Sequence, residues 1–252
     1  MRVIRSVIIA FSTYSRIPVP QVEWSDENRK DTMCFFPLIG AVIGLLLWLW
    51  IGICDQLAVG GVLQGTVAAL LPLLVTGGIH MDGFMDTCDA LASWQTRERR
   101  LEILKDSHAG AFAVMGCAGY LLLAAGLLSE ASVQDAPMLA AVFVFSRTLS
   151  AWAMTAFQSA RPSGMLDAFA QAARRRMVTI SCMLYAIFVT AYWFAFGGWV
   201  ACACLAAAAV CLLYYRHMAY KHFGGVTGDL AGWFLQITEL VLTAVIVLGG
   251  KG

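Results

Sequence analysis

Three aspartates, Asp82, Asp86 and Asp89, stand at i, i+4 and i+7 within the run Gly77-Gly78-Ile79-His80-Met81-Asp82-Gly83-Phe84-Met85-Asp86-Thr87-Cys88-Asp89. On a helix that spacing stacks them on one face. Like charges so placed repel, and apolar neighbours such as Phe84 and Met85 make the repulsion costlier than on a solvated helix. A divalent cation removes the conflict, and all-oxygen ligands select a hard one, Mg²⁺ or Mn²⁺. Asp82, Asp86 and Asp89 are therefore the expected metal ligands. A second glycine-rich segment, Phe223-Gly224-Gly225-Val226-Thr227-Gly228-Asp229, repeats the GGxxxD pattern of Gly77–Asp82 and adds Asp229 to the ligand set. Its glycines let backbone approach a ligand, and the N–H groups opening a helix favour phosphate, so Gly225 and Thr227 are candidate substrate contacts. Lys105-Asp106-Ser107 adds a cation, another carboxylate and a hydroxyl, and is read as a further substrate contact. Arg97-Glu98-Arg99-Arg100 just before it is read as a solvated basic cluster.

Elements that could hold such groups must come from a membrane. Of 252 residues 60% are hydrophobic and only 13% charged, about half the charge a water-soluble surface carries. Spans of about 20 apolar residues are read at 36–54, 62–79, 109–128, 137–158, 177–196, 198–215 and 230–250. The fold class is therefore all-α: a polytopic helical bundle of about seven transmembrane helices, expected to be a single transmembrane domain over 1–252. Only Arg147 and Glu239 put ionisable groups inside spans, where they form either a functional site or a structural link between helices. Fifteen of the seventeen Lys and Arg residues fall on one side if every candidate crosses, which places the N-terminus and the acidic cluster in the cytoplasm. The Arg2 and Arg5 start lacks the form of a cleavable signal and reads as an interfacial amphipathic helix. A net charge of +1 offers no field for nucleic acid. The eight cysteines contain no CxxC pair and read as small apolar residues.

These segments together resemble the cobalamin synthase, or adenosylcobinamide-GDP ribazoletransferase, family. The likeness runs from Phe11-Ser12-Thr13-Tyr14-Ser15-Arg16-Ile17-Pro18-Val19-Pro20 through Phe36-Pro37-Leu38-Ile39-Gly40, the 77–90 core, Leu101–Ser107 and Ser146-Arg147 to the terminal GGVTGD and Glu239. Met81, Met85 and Ala90 depart from the family pattern, at positions that bear on packing. The resemblance implies joining of adenosylcobinamide-GDP to α-ribazole or its 5′-phosphate, with release of GMP and with Mg²⁺. It implies a multi-pass protein of the cell inner membrane with a cytoplasmic site, in association with other late cobalamin-assembly enzymes. On this reading Asp82, Asp86, Asp89 and Asp229 hold metal. Asp82, Asp86 or His80 takes the nucleophile's proton, and Arg16, Lys105 and Glu239 are substrate contacts.

Two other readings are set against this one. The DGxxDxxD pattern is similar to the acidic motif of CDP-alcohol phosphotransferases, but Asp86 and Thr87 stand where that motif has an Ala-Arg pair. A cation transporter would carry its carboxylates near the midplane on broken helices, whereas these lie at the ends of spans.

Overall fold

The structure, a computed structural model, describes residues 2–160 and 174–250; Arg161 and Lys251, both used in the charge count above, lie outside them. Eleven helices are described, with no strands among the described residues beyond one isolated bridge, Ser159 to Val226. They are α1 (Arg2–Tyr14), α2 (Asp26–Arg29), α3 (Phe36–Gln56), α4 (Gly61–Thr76), α5 (Ile79–Ala92), α6 (Arg97–Ile103), α7 (Ala111–Ser129), α8 (Ala136–Ala156), α9 (Arg175–Gly197), α10 (Trp199–Phe223) and α11 (Gly228–Gly249), with a 3₁₀ turn at Thr32–Phe35.

Six of these helices are long and apolar enough to cross a bilayer: α3 with its preceding turn, α7, α8, α9, α10 and α11; α4 and α5 together count as a seventh. The chain is a multi-pass membrane protein. The expected second span, 62–79, is corrected in one respect. It stops at Thr76, and the chain bends by 100° before α5 begins. Gly77 and Gly78 have φ of +66° and +81°, a left-handed conformation that glycine adopts without the clash a Cβ would bring. The second glycine pair does the same job: Gly224, at φ +75°, ends α10 before α11 starts.

α8 and α11 are the most enclosed of the spans. α3 and α9 pack on α8, while α5, α7, α8 and α10 pack on α11. Between lipid tails apolar burial gives no driving force, so close packing and internal polar links hold helices together. Gly40 lies against the backbone of Phe143, where even a Cβ would overlap the main chain. Gln64 donates to the carbonyls of Leu128 (3.0 Å) and Ala131 (2.8 Å), tying the start of α4 to the end of α7. Trp193 Nε1 donates to Met138 O at 3.0 Å, tying α9 to α8.

The strongest link is ionic. Arg147 Nη1 donates to Glu239 Oε1 at 2.6 Å, and Ser146 Oγ donates to the same oxygen at 2.8 Å. Both charges are essentially inaccessible. Glu239, read above as a functional group or a link between helices, lies eleven residues into α11, about 16 Å along the axis, and the partner of its carboxylate is the guanidinium on α8. A charge isolated in hydrocarbon is costly, so each ion needs the other.

Two outcomes are expected from this packing. Gly40→Ala should destabilise the detergent-solubilised protein by about 1–3 kcal/mol, whereas Gly52→Ala, which meets nothing within 4 Å, should leave it unchanged; thermal unfolding of the two reads this directly. Arg147→Met alone should cost about 3–5 kcal/mol because it strands the Glu239 charge, and adding Glu239→Leu should recover most of that loss. A double variant as unstable as the single one would rule out the linking role.

Candidate functional site

α5 begins at Gly78, immediately beyond the bend, and turns its acidic face toward the start of α11. The contact is backbone to backbone: a Cβ on Gly83 would lie 2.8 Å from Asp229 Cα, and one on Gly232 would lie 2.9 Å from His80 O. Each GGxxxD segment carries a left-handed glycine that ends one helix before the next begins, and the two helices that follow pack against each other. Asp82 and Asp229, each in the first turn of its helix, are brought to one place by that packing. The sequence shows the repeat; the pairing of its copies is a finding of the fold.

The three other expected ligands and Asp106 all act electrostatically on Asp86. Burial, then Asp82, Asp229, Asp89 and Asp106 in that order, push its carboxyl from the usual range up to about 7. Asp82 is exposed and Asp86, Asp89 and Asp229 are partly so. Among the described residues no three acidic, His or Cys groups lie close enough to form a ready-made metal cage. That suits Mg²⁺, which takes one or two protein carboxylates and completes its shell with water and substrate phosphate. The unrelieved repulsion at Asp86 is the feature that fits a cation.

Asp89 does something the sequence did not suggest. Its Oδ2 accepts from Gly110 N at 2.6 Å and its Oδ1 from Ala113 N at 2.8 Å, so the carboxylate caps α7 and meets the positive end of that helix. Each oxygen, expected above to ligate metal, thus accepts one backbone N–H.

Two cavities meet at Asp82. One, of about 350 Å³, is lined by Tyr14, Phe36 and His80 on one side and by Met154 and the Thr227–Asp229 start of α11 on the other. The second, of about 800 Å³, is lined by Arg16, the Gly77-Gly78 bend and Leu70, Leu73 and Leu74 of α4. Thr13, Ile79 and Asp82 belong to both. Arg16 is held there by its own backbone N–H, which donates to Val75 O at 2.7 Å, and its side chain crosses Gly77.

His80 is neutral. Burial, then the Arg147 charge, push its pKa down to about 3. Its ring lies 6.4 Å from Tyr14, nearly parallel, and 5.6 Å from Phe36, edge-on; its Nε2 is buried with no hydrogen-bond partner. The ring, expected above as one alternative proton acceptor, forms part of the wall of the smaller cavity.

The remaining expectations divide. Arg16, Asp82 and Thr227 line the cavities. Thr227 also caps α11, its hydroxyl accepting from Leu230 N at 3.2 Å. Gly225, expected as a substrate contact, is closely packed: a Cβ there would lie 2.7 Å from Ala160 N, because the loop packs on residues 158–160 through the Ser159–Val226 bridge. Lys105 and Ser107 are exposed and line neither cavity. Asp106 accepts from the backbone and ring of His108, at 3.0 and 2.8 Å, and those bonds hold its carboxyl below the usual range. The basic cluster is partly packed rather than solvated, with Arg97 over Gly224 and Arg100 Nη1 2.6 Å from His222 Nδ1. Tyr14, Phe36, Ser150 and Met154 were not expected as lining residues. Their sequence neighbourhoods carry no chemical signature, and the first two were marked only as parts of a family-like stretch.

A family model described as cobalamin-5-phosphate synthase matches residues 6–247. A curated protein of Lachnoclostridium phytofermentans named adenosylcobinamide-GDP ribazoletransferase is 42% identical, covering 98% of this chain and 95% of its own. Proteins of the same name from Desulfitobacterium hafniense and Pseudomonas putida are 34% and 32% identical, with at least 94% of each chain covered. No solved structure matches. The aspartates that gather around Asp86 therefore sit in a chain that belongs to the cobalamin-5-phosphate synthase family.

Proposed function

We propose that this chain joins adenosylcobinamide-GDP to α-ribazole or its 5′-phosphate, giving adenosylcobalamin or its phosphate and GMP, at the cytoplasmic face of the cell inner membrane. The observation that carries this reading is the gathering of Asp82, Asp86 and Asp229 from two broken helices at the mouth of the bundle. In the reaction the ribazole 3′-hydroxyl oxygen forms a bond to the phosphorus attached to cobinamide. The bond from that phosphorus to the bridging oxygen breaks, GMP leaves with the bridge electrons, and the hydroxyl proton passes to a base.

Asp82, Asp86 and Asp229 are the residues that would hold Mg²⁺, or Mn²⁺ in its place. When bound, the ion supplies charge neutralisation on the diphosphate and on the leaving GMP. The protein's own contribution is positioning. Asp82 is exposed on the wall common to both cavities, where it faces both reactants. Arg16 meets phosphate charge from the larger cavity. A carboxylate of this cluster that the ion leaves uncoordinated is the group suited to taking the nucleophile's proton. Asp89 keeps α7 in register with α5. Loop charge supports the cytoplasmic placement, and the resemblance supports an association with other late cobalamin-assembly enzymes.

Purified protein in detergent, given both substrates and Mg²⁺, should form cobalamin and GMP, and Asp82→Asn should lower the rate by about 100-fold or more while remaining folded. No product from folded wild type, with either ribazole form and with Mn²⁺ also tried, would sink the assignment and turn attention to CDP-linked donors. Asp86 gives a second test through pH. Its folded pKa, about 7, lies above the ordinary 3.8, so the metal-free fold holds a proton that the unfolded chain has lost. The stability this confers is present at low pH and is lost as pH rises through about 7. Asp86→Asn should therefore raise the stability of metal-free protein at pH 8 by about 1–2 kcal/mol, after allowance for solvent screening of a partly exposed group. The gain should shrink as pH falls toward 3.8, and the variant should reduce turnover throughout. A variant no more stable than wild type at pH 8 would count against the crowding of carboxylates.

A further inference from the structure

The proposed transfer brings together two substrates of very different size, and Asp82 separates two cavities of very different size. The smaller is the more enclosed, and its walls are mainly apolar. Tyr14, Phe36 and His80 form a continuous aromatic side to it, with Tyr14 and Phe36 rings 4.7 Å apart. A benzimidazole-type nucleoside base is planar and apolar, and it has a single unsubstituted ring nitrogen once the other bears the sugar. Aromatic side chains take such a base by stacking.

The larger cavity has the opposite character. Arg16 provides a fixed positive charge, and the Gly77-Gly78 bend opens α5, whose free N–H groups favour an anion. Its outer rim is apolar: Leu70 and Leu74 of α4 are 40% and 70% exposed on the bundle's surface. A ligand that is anionic at one end and bulky at the other suits that combination.

We propose that the 350 Å³ cavity receives the planar base of the acceptor nucleoside and the 800 Å³ cavity receives the diphosphate donor, so that hydroxyl and phosphorus meet at Asp82; this partition rests on the transferase reading above. Tyr14 and His80 are then the groups that choose the lower base, and Arg16 is the group that orients the donor. The chain crossing from one cavity to the other at Thr13–Arg16 carries a determinant for each substrate within three residues.

Direct binding separates the two subsites without turnover. A benzimidazole riboside and GDP are each titrated, alone and without metal, into wild type, Tyr14→Ala, Tyr14→Phe and Arg16→Met. Tyr14→Ala should weaken the riboside by at least about tenfold and leave GDP within about twofold. Arg16→Met should do the reverse, and Tyr14→Phe, which keeps the ring, should hold the riboside nearly as well as wild type. In turnover the same split should appear as a raised KM for one substrate only. If Arg16→Met weakens the riboside as much as GDP, or Tyr14→Phe is as damaging as Tyr14→Ala, the partition is wrong. Wild type that turns over both substrates while the split is missing overturns the partition alone. Wild type that binds neither ligand and forms no product overturns the transferase reading and the partition with it.

Discussion

Carboxylates that must bind a cation and a diphosphate cannot be carried through hydrocarbon, and most of this architecture follows from that constraint. The chain reaches the mouth of the bundle on α4, abandons its helix at Gly77-Gly78, and restarts in a new direction with Asp82 in the first turn. α10 and α11 repeat the manoeuvre at Gly224, with Asp229 in the first turn. Each break also releases backbone N–H groups that no longer have a partner four residues back, and these face the region where phosphate charge is expected. One device, a left-handed glycine followed by a helix with an early aspartate, thereby delivers both signs of charge to one place.

Such a mouth is held open against its own repulsion by the bundle behind it. The Arg147–Glu239 pair fixes α8 to α11 deep among apolar side chains, and Gly40 lets α3 approach α8 at backbone distance. Asp89 shows how the same residue type divides its duties. With two helix N–H groups on its oxygens it is a structural cap, while Asp82, seven residues earlier on the same face, stays exposed. The difference lies in what each aspartate meets across the interface, the end of α7 or the space between two cavities.

The sequence made much of this legible, and its failures have a common cause. Apolar runs of spanning length are a strong local signal, so six spans were read to within a few residues at their starts; α10 extends eight residues beyond the 198–215 reading. The i, i+4, i+7 aspartates were legible for the same reason. Partners across the fold were not. Glu239 was open between two roles until α8 and α11 were seen side by side. Gly225 reads as a phosphate-binding glycine in isolation and as a packing glycine once residues 158–160 lie on it. Asp89 became a cap only because Gly110 stands twenty-one residues downstream. The Tyr14–Phe36–His80 wall joins the end of α1, the start of α3 and the start of α5, and no periodicity within any one of them announces it.

The absence of a tight three-carboxylate cage among the described residues is consistent with metal-assisted phosphoryl transfer in the proposed reading. A compact cage would hold its charges together even without substrate, and the folded state would bear their full repulsion at neutral pH. Asp82, Asp86 and Asp229 are spread over two helices, yet burial and the neighbouring carboxylates still raise the Asp86 carboxyl to about 7, a repulsion that a cation would relieve. In the proposed reading the donor's diphosphate oxygens would complete the shell of a bound ion, so that metal and donor would each strengthen the binding of the other.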